Sequence, residues 1–282
     1  MRKIVEVFRH VRRCLNDDGV LWLNLGDSYN GSGPSGGNGK QYTNLGSQDT
    51  TKKKVAGLKS KDLVGIPWRV AFALQSDGWY LRSDIIWSKP NPMPESVDDR
   101  PTKAHEYIFL LSKSQQYFYD AEAIKERMKD SSYARLSQDI ENQTGSNRVP
   151  GKTNGTMKAV GKQAGHGRRY DGFNGRWNEM RNQPGGDLLY GMANKRSVWE
   201  IPTIGFKEAH FATFPENIPS ICIKAGSRSG DIILDPFMGS GTVGVVAKRL
   251  KRKYIGIELN PKYIEMAEKR IKNEHEPLLV EQ

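Results

Sequence analysis

Three observations predict an α/β fold with a mostly parallel sheet. Asp231-Ile-Ile-Leu-Asp235-Pro-Phe-Met-Gly239-Ser-Gly241-Thr-Val-Gly244 carries an apolar run of strand length through a glycine loop into a helix-like segment. A second apolar run, Tyr254-Ile-Gly-Ile-Glu258, ends in an acid, about 20 residues past the glycine loop. Val20-Leu-Trp-Leu-Asn-Leu25 is nearly all apolar, the pattern of a strand covered on both faces.

The 282 residues are enough for one large α/β domain or one domain with a substantial insertion. Lys and Arg number 43 against 32 Asp and Glu, a formal charge of +11, so a polyanionic partner is expected. Cys14 and Cys222 are the only cysteines. They make neither a disulfide framework nor a soft-metal cluster, and they suit a reducing cytoplasm. No apolar run approaches the roughly 18 residues of a membrane span, so no membrane is expected as a partner.

In chain order, Ile4, Val5, Phe8, Val11 and Leu15 form a helical stripe stopped by Asn16-Asp-Asp-Gly19, and the strand at Val20 follows. Gly26-Asp27-Ser28-Tyr29 then opens a Gly/Ser-rich stretch to Gly39 that reads as a mobile loop. Ile66-Pro67 starts a helix that buries Trp68, Ala71, Phe72 and Leu74 and stops at Asp77-Gly78. Trp79 to Trp87 reads as a strand. After it, Pro90, Pro92 and Pro94 force the chain over the sheet edge. Tyr107–Leu111 and Tyr117–Tyr119 read as the two arms of an antiparallel edge hairpin, and Ala121 to Met128 as a charged helix.

A polar, glycine-rich tract follows as far as Arg196 and reads as an insertion. Between Arg148 and Arg196 ten Lys or Arg face three acids, a net of +7. Tyr170, Phe173, Trp177 and Tyr190 alternate with these cations, as a surface for phosphates and bases requires. A charged disordered loop is the lesser alternative on composition alone. Ser197–Ile201 returns to strand, Pro215 opens a helix ended by Ala225-Gly226, and Asn260-Pro261 caps an amphipathic helix through Lys272.

The glycines let the backbone approach a ligand, and the following helix points unpaired N–H groups at it. Glu258 stands where an acid takes the two hydroxyls of a ribose. Gly239-Ser-Gly241-Thr-Val-Gly244 also satisfies the dinucleotide fingerprint, so a NAD-dependent oxidoreductase is the rival enzyme. Its context argues against that reading: one strand and one helix follow the loop, whereas a dinucleotide unit opens its domain.

Asp235-Pro-Phe-Met-Gly-Ser-Gly-Thr242, Tyr254 to Glu258 and His210 to Pro215 closely resemble motifs of one family, the amino-methylating DNA methyltransferases that use S-adenosylmethionine. The resemblance spans most of the chain. It implies a Rossmann-like sheet in circularly permuted order, with the cofactor half last. It also implies cofactor contacts from Thr213, Phe214, Asp235, Pro236, Phe237, Gly239, Ser240, Gly241, Thr242 and Glu258. Asp27 after its strand, Trp87-Ser-Lys-Pro-Asn-Pro-Met-Pro-Glu-Ser96 and Arg100-Pro-Thr-Lys-Ala-His-Glu106 look like the lining of a target-base pocket. The expected layout is a catalytic half at 1–120, a target-recognition insertion at 121–196 and a cofactor half at 197–282. Double-stranded DNA is the implied partner, contacted by Arg168, Arg169, Arg176, Lys195 and Arg196. Methyl transfer to adenine N6 or cytosine N4 is the implied reaction, and it needs no metal.

The sequence departs from the family at one place. The (Asp, Asn or Ser)-Pro-Pro-aromatic motif that orients the acceptor amine occurs nowhere in the chain and is expected upstream of Met1. Asp27, Trp87, Lys89 and Asn91 are therefore pocket candidates without an assigned catalytic role, and His105 reads as a structural histidine. A homodimer or a complementing N-terminal polypeptide is left open as partner. A truncated, split or non-catalytic DNA- and cofactor-binding paralogue is the second alternative function.

Overall fold

The computed structural model describes residues 1–31, 55–128, 192–204 and 214–274. The chain divides into two compact units, Met1–Ala123 with Arg196–Gln282, and Ile124–Lys195.

In the first unit, helix α1 (Arg2–Cys14) leads into strand β1 (Val20–Leu25), and helix α2 (Ile66–Ser76) into strand β2 (Tyr80–Ser88). Strand β3 (His105–Ser112) lies between them, antiparallel to both, with Leu23 opposite Phe109 and Ile85 opposite Ile108. Side chains of β3 alternate faces, as the pleat requires. Phe109 and Leu111 pack with Phe8 of α1 and Val70, Ala71 and Leu74 of α2. Ile108 and Leu110 pack on the other face with Ile85, Trp87, Trp199, Ile218 and Cys222. Helices therefore cover both faces of this sheet. Burial also raises the Cys222 thiol far above its ordinary pKa.

The second unit, Ile124–Lys195, contributes strands β4 (Glu126–Arg127) and β5 (Met192–Ala193), an antiparallel pair. Lys195 bonds Glu126 across it at 3.2 Å.

Back in the first unit, β6 (Val198–Glu200) pairs parallel to β2, giving the order β1-β3-β2-β6. Helix α3 (Asn217–Gly226) then precedes strand β7 (Ile232–Asp235). Helix α4 (Thr242–Arg249), strand β8 (Lys253–Gly256) and helix α5 (Pro261–Asn273) complete the described chain. Strands β7 and β8 pair parallel as a sheet of their own. Their core joins Ile223 of α3 to Val246 and Ala247 of α4.

Among the described residues, β1 has a ladder partner on one side only, and so does β7. Their starts are nevertheless tied together. Arg228 bonds Asp18 at 3.0 Å, and a Cβ on Gly226 would come within 2.6 Å of Val20 and 2.8 Å of Trp22 Nε1. The two sheets are therefore joined at the starts of β1 and β7, while each of these strands keeps one unpaired side among the described residues. Only Leu23 of β1 is fully buried, so the expected covering of this strand on both faces is incomplete.

Two local expectations are corrected. The hairpin is made by β2 and β3 rather than by Tyr107–Leu111 with Tyr117–Tyr119. The latter three residues seal the sheet's end: Phe118 N–H donates to Asp18 O at 2.8 Å and its ring lies under Arg228. The predicted helix at 121–128 is a single 3-10 turn, Glu122–Ile124, followed by β4.

Candidate cofactor turn and acceptor end

The end of β7 builds a tight, self-supporting turn. Asp235 accepts the Phe237 N–H at 2.9 Å, and its carbonyl accepts that of Ile257 at 2.9 Å. Gly239 and Gly241 have φ of 50° and 81°, a region that side chains oppose. Gly241 has a second reason to be glycine, since a Cβ there would lie 2.8 Å from Ala267 Cβ and 2.9 Å from Ala267 Cα. Helix α4 starts at once, so its free N–H groups face out of the turn.

Glu258 closes the turn from β8. One carboxylate oxygen accepts Gly239 N–H at 2.9 Å, and the other accepts Leu259 and Asn260 N–H, each at 2.8 Å. The acid is thus fixed before any ligand arrives, with lone pairs remaining for hydroxyl donors. Burial holds the Asp235 carboxyl above its usual range. The Phe237 N–H opposes that shift and the charge of Glu258 adds to it. Two large apolar groups beside this polar set are exposed, Phe237 at 61% and Leu259 at 93%. Leu259 carries no signal of its own in the sequence beyond its place next to Glu258.

The expected cofactor residues divide. Asp235, Pro236, Phe237, Gly239, Gly241 and Glu258 line the turn. Ser240 and Thr242 are buried, with hydroxyls 3.0 and 3.2 Å from a guanidinium nitrogen of Arg270 on α5. Phe214 packs against the Trp87–Trp199 core. Thr213, like His210, lies outside the described residues, as do Arg168, Arg169 and Arg176.

At the carboxyl end of β1 and β2, the pocket candidates are engaged by the fold. Asp27 caps α2, accepting Ile66 N–H at 2.9 Å and Gly65 N–H at 3.1 Å. Trp87 is buried and donates its indole N–H to Ile201 O at 2.8 Å. Asn91 staples Thr203 through both amide atoms, at 2.8 and 3.0 Å. Lys89 brings a positive charge to this end. It sits 4.3 Å over the Trp87 ring and 2.5 Å from Glu106 Oε1. Lys103 donates to Asp27 O at 3.0 Å and is held below its usual pKa by burial. His105 stacks edge-on against Tyr107. Arg100 lies 4.1 Å over the Tyr29 ring and bonds Glu95 at 2.6 Å. Among the described residues, no group of three or more His, Cys, Asp or Glu could hold a metal ion, and no helix is long and apolar enough to cross a membrane.

Comparison with known proteins meets this geometry from outside. The family model described as a DNA methylase, covering N6 and N4 enzymes, matches residues 1–269. The chain is 42% identical over 272 residues to the Type II methyltransferase M.SmaI of Serratia marcescens, covering 96% of this chain and 73% of that one. It is 41% identical over 275 residues to M.Cfr9I of Citrobacter freundii, covering 97% and 72%. In fold it is similar to a putative DNA modification methylase of Thermus thermophilus in complex with S-adenosyl-L-methionine (TM-score 0.52, 18% identity, 97% and 76% covered). It is also similar to the cytosine-N4-specific PvuII DNA methyltransferase (TM-score 0.54, 16% identity, 94% and 70% covered). The glycine pattern thus finds its place in a Rossmann-like methyltransferase rather than in a dinucleotide oxidoreductase, and the chain belongs to the N6/N4 DNA methylase family.

Proposed function

We propose that this DNA amino-methyltransferase holds S-adenosylmethionine on the turn from Asp235 to Thr242 and serves a base taken out of the DNA stack, at adenine N6 or cytosine N4. The observation that carries the reading is Glu258, whose carboxylate is locked by three amides in a turn that also carries the exposed Phe237 and Leu259. Such a set fits an adenosine: hydroxyls on the acid, and the flat ring against Leu259 and Phe237. When bound, the cofactor supplies an electrophilic methyl on a sulfonium. The chain's own residues orient it, and Asp235 and the α4 N-terminus add directed hydrogen-bonding groups.

Lys89, Glu106 and Lys103 are assigned to the acceptor side, where their charges meet the edge of the extruded base or its phosphates. Asp27, Trp87 and Asn91 support that end by holding α2, β6 and the proline-rich segment in place. Residues 121–196 serve as the target-recognition region, with Arg168, Arg169, Arg176, Lys195 and Arg196 on phosphates. Duplex affinity then falls steeply with added salt.

An exocyclic amine needs oxygens that accept its hydrogens and an aromatic that holds its ring. The open edges of β1 and β7, pinned together at their starts, support entry of such a group on one further strand between them. A polypeptide segment outside these 282 residues is the proposed source, with a second copy of this chain as the competing one. In this reading the sheet follows a circularly permuted order.

The test is direct. S-adenosylmethionine raises the melting temperature of the purified chain and NAD does not; stabilisation by NAD alone overturns the cofactor assignment. Transfer of labelled methyl to DNA, assayed with the chain alone and with a co-expressed upstream segment, tests the strand. Full activity of the monomeric chain alone sinks that part.

A further inference from the structure

Helix α5 lies against the glycine turn along one face. A Cβ on Gly241 would meet Ala267, and one on Gly244 would lie 2.5 Å from Ile271 Cδ1. Between these contacts Arg270 reaches the turn itself. A single guanidinium nitrogen lies 2.6 Å from Ser240 O, 3.0 Å from Ser240 Oγ and 3.2 Å from Thr242 Oγ1. Residues 267, 270 and 271 follow the i, i+3, i+4 spacing of one helical face.

The placement of this cation is electrostatically costly. It stands at the start of α4, where the helix dipole is already positive. Glu216, immediately before α3, lies 3.7 Å from the second guanidinium nitrogen and offsets part of the charge. Glu216 also bonds Arg249 at 2.7 Å, and Arg249 bonds Glu274 at 2.7 Å. Arg270 thus touches the cofactor turn directly and, through Glu216, the end of the Phe214–Pro215 segment, whereas Arg249 joins the same network without touching the turn.

We propose that Arg270 is a positioning residue for cofactor binding. Its guanidinium fixes the Ser240 carbonyl between two glycines of positive φ, and so holds the Gly239 amide on Glu258 and the Glu258 carboxylate in its ligand-ready orientation. The fork of the side chain matters as well as its charge, because Ser240 and Glu216 are reached by different nitrogens. The inference rests on the cofactor reading of the turn.

The experiment compares Arg270→Gln, Arg270→Lys and Arg249→Gln by calorimetric titration with S-adenosylmethionine, with urea midpoints measured on the same preparations. Arg270→Gln is expected to weaken binding about tenfold or more, the size of one charge-assisted hydrogen bond. Arg270→Lys falls between it and the parent. Arg249→Gln loses stability but binds within about twofold of the parent. Where transfer is measurable, the KM for S-adenosylmethionine rises in Arg270→Gln while kcat at saturating cofactor holds. Equal weakening by Arg249→Gln and Arg270→Gln, or unchanged binding in Arg270→Gln, overturns the proposal. If Arg270→Gln does not fold, the lysine variant decides it: parent-like affinity with a lowered urea midpoint means a purely structural arginine. Failure of the unmodified chain to bind S-adenosylmethionine would instead refute the cofactor reading.

Discussion

The two ends of this molecule proposed to hold the methyl donor and its acceptor are built differently. The turn after β7 is made almost wholly of backbone: amides bond Asp235 and Glu258, and glycines admit α5. The end of β1, β2 and β3 is made of side chains, and most are spent on the fold, with Asp27 on α2, Trp87 on Ile201 and Asn91 on Thr203. A donor site must present the same cofactor at every turnover, so it can be rigid and local. An acceptor site must admit a base from a long polymer. The end proposed for that role is a charged rim on a solid scaffold, beside a strand that among the described residues is paired on one side only.

Substitutions separate the two ends. Phe109→Ala, at the centre of the sheet under the acceptor end, is expected to cost about 3–5 kcal/mol. A single lowered urea transition means the two halves unfold as one, and two separate transitions would mean that they are independent. Glu258→Ala is expected to raise the Kd for S-adenosylmethionine about a hundredfold, two charge-assisted bonds' worth, without lowering affinity for duplex DNA. Gly241→Ala should destabilise by about 2 kcal/mol, from strain at positive φ and the collision with α5. Lys89→Met leaves Glu106 unpaired and partly buried, at a cost of about 1 kcal/mol. It should reduce methyl transfer or DNA affinity while the cofactor Kd stays at the parent value; a changed cofactor Kd would erase the division between the ends.

The smallest effect is the pH dependence of Asp235→Asn. The folded pKa of Asp235 is raised, so its stabilising contribution is present below the unfolded pKa and is lost as pH rises through the folded value. The asparagine variant should therefore match or exceed the parent's melting temperature at neutral pH, with its advantage shrinking on acidification. An advantage that grows with acid contradicts the burial of that carboxyl.

Much of this was legible in the sequence because it is local. The stripe of α1, the cap of α5 and the glycines of the turn all depend on neighbours within a few residues. The Ser197–Ile201 and Trp79–Trp87 strands are legible for the same reason, although their pairing is not. Long-range choices were not readable. Tyr117-Phe-Tyr119 has strand composition, yet β3 found β1 and β2 as partners and left those rings to seal the end of the sheet. Asp27 reads as a pocket acid until α2, beginning 39 residues later, proves to be what it caps. Ser240 and Thr242 sit in a cofactor motif, but the burial of their hydroxyls on Arg270 follows from the docking of α5, which no local pattern encodes. Arg270 itself looks like one more cation on an amphipathic helix.

The unpaired sheet edges also bear on the behaviour of the concentrated protein. Ile232, Ile255 and Ile257 are all more than half exposed, and among the described residues β7 and β8 each have a ladder partner on one side only, an edge that can template a neighbour's strand. Lys251 and Lys253, both exposed at the start of β8, put like charges beside that edge and oppose such pairing between molecules. Salt shortens the reach of this repulsion to about 8 Å at physiological strength. Raising ionic strength should thus release DNA and, in the same tube, promote aggregation, so the two must be followed by separate signals such as anisotropy and light scattering.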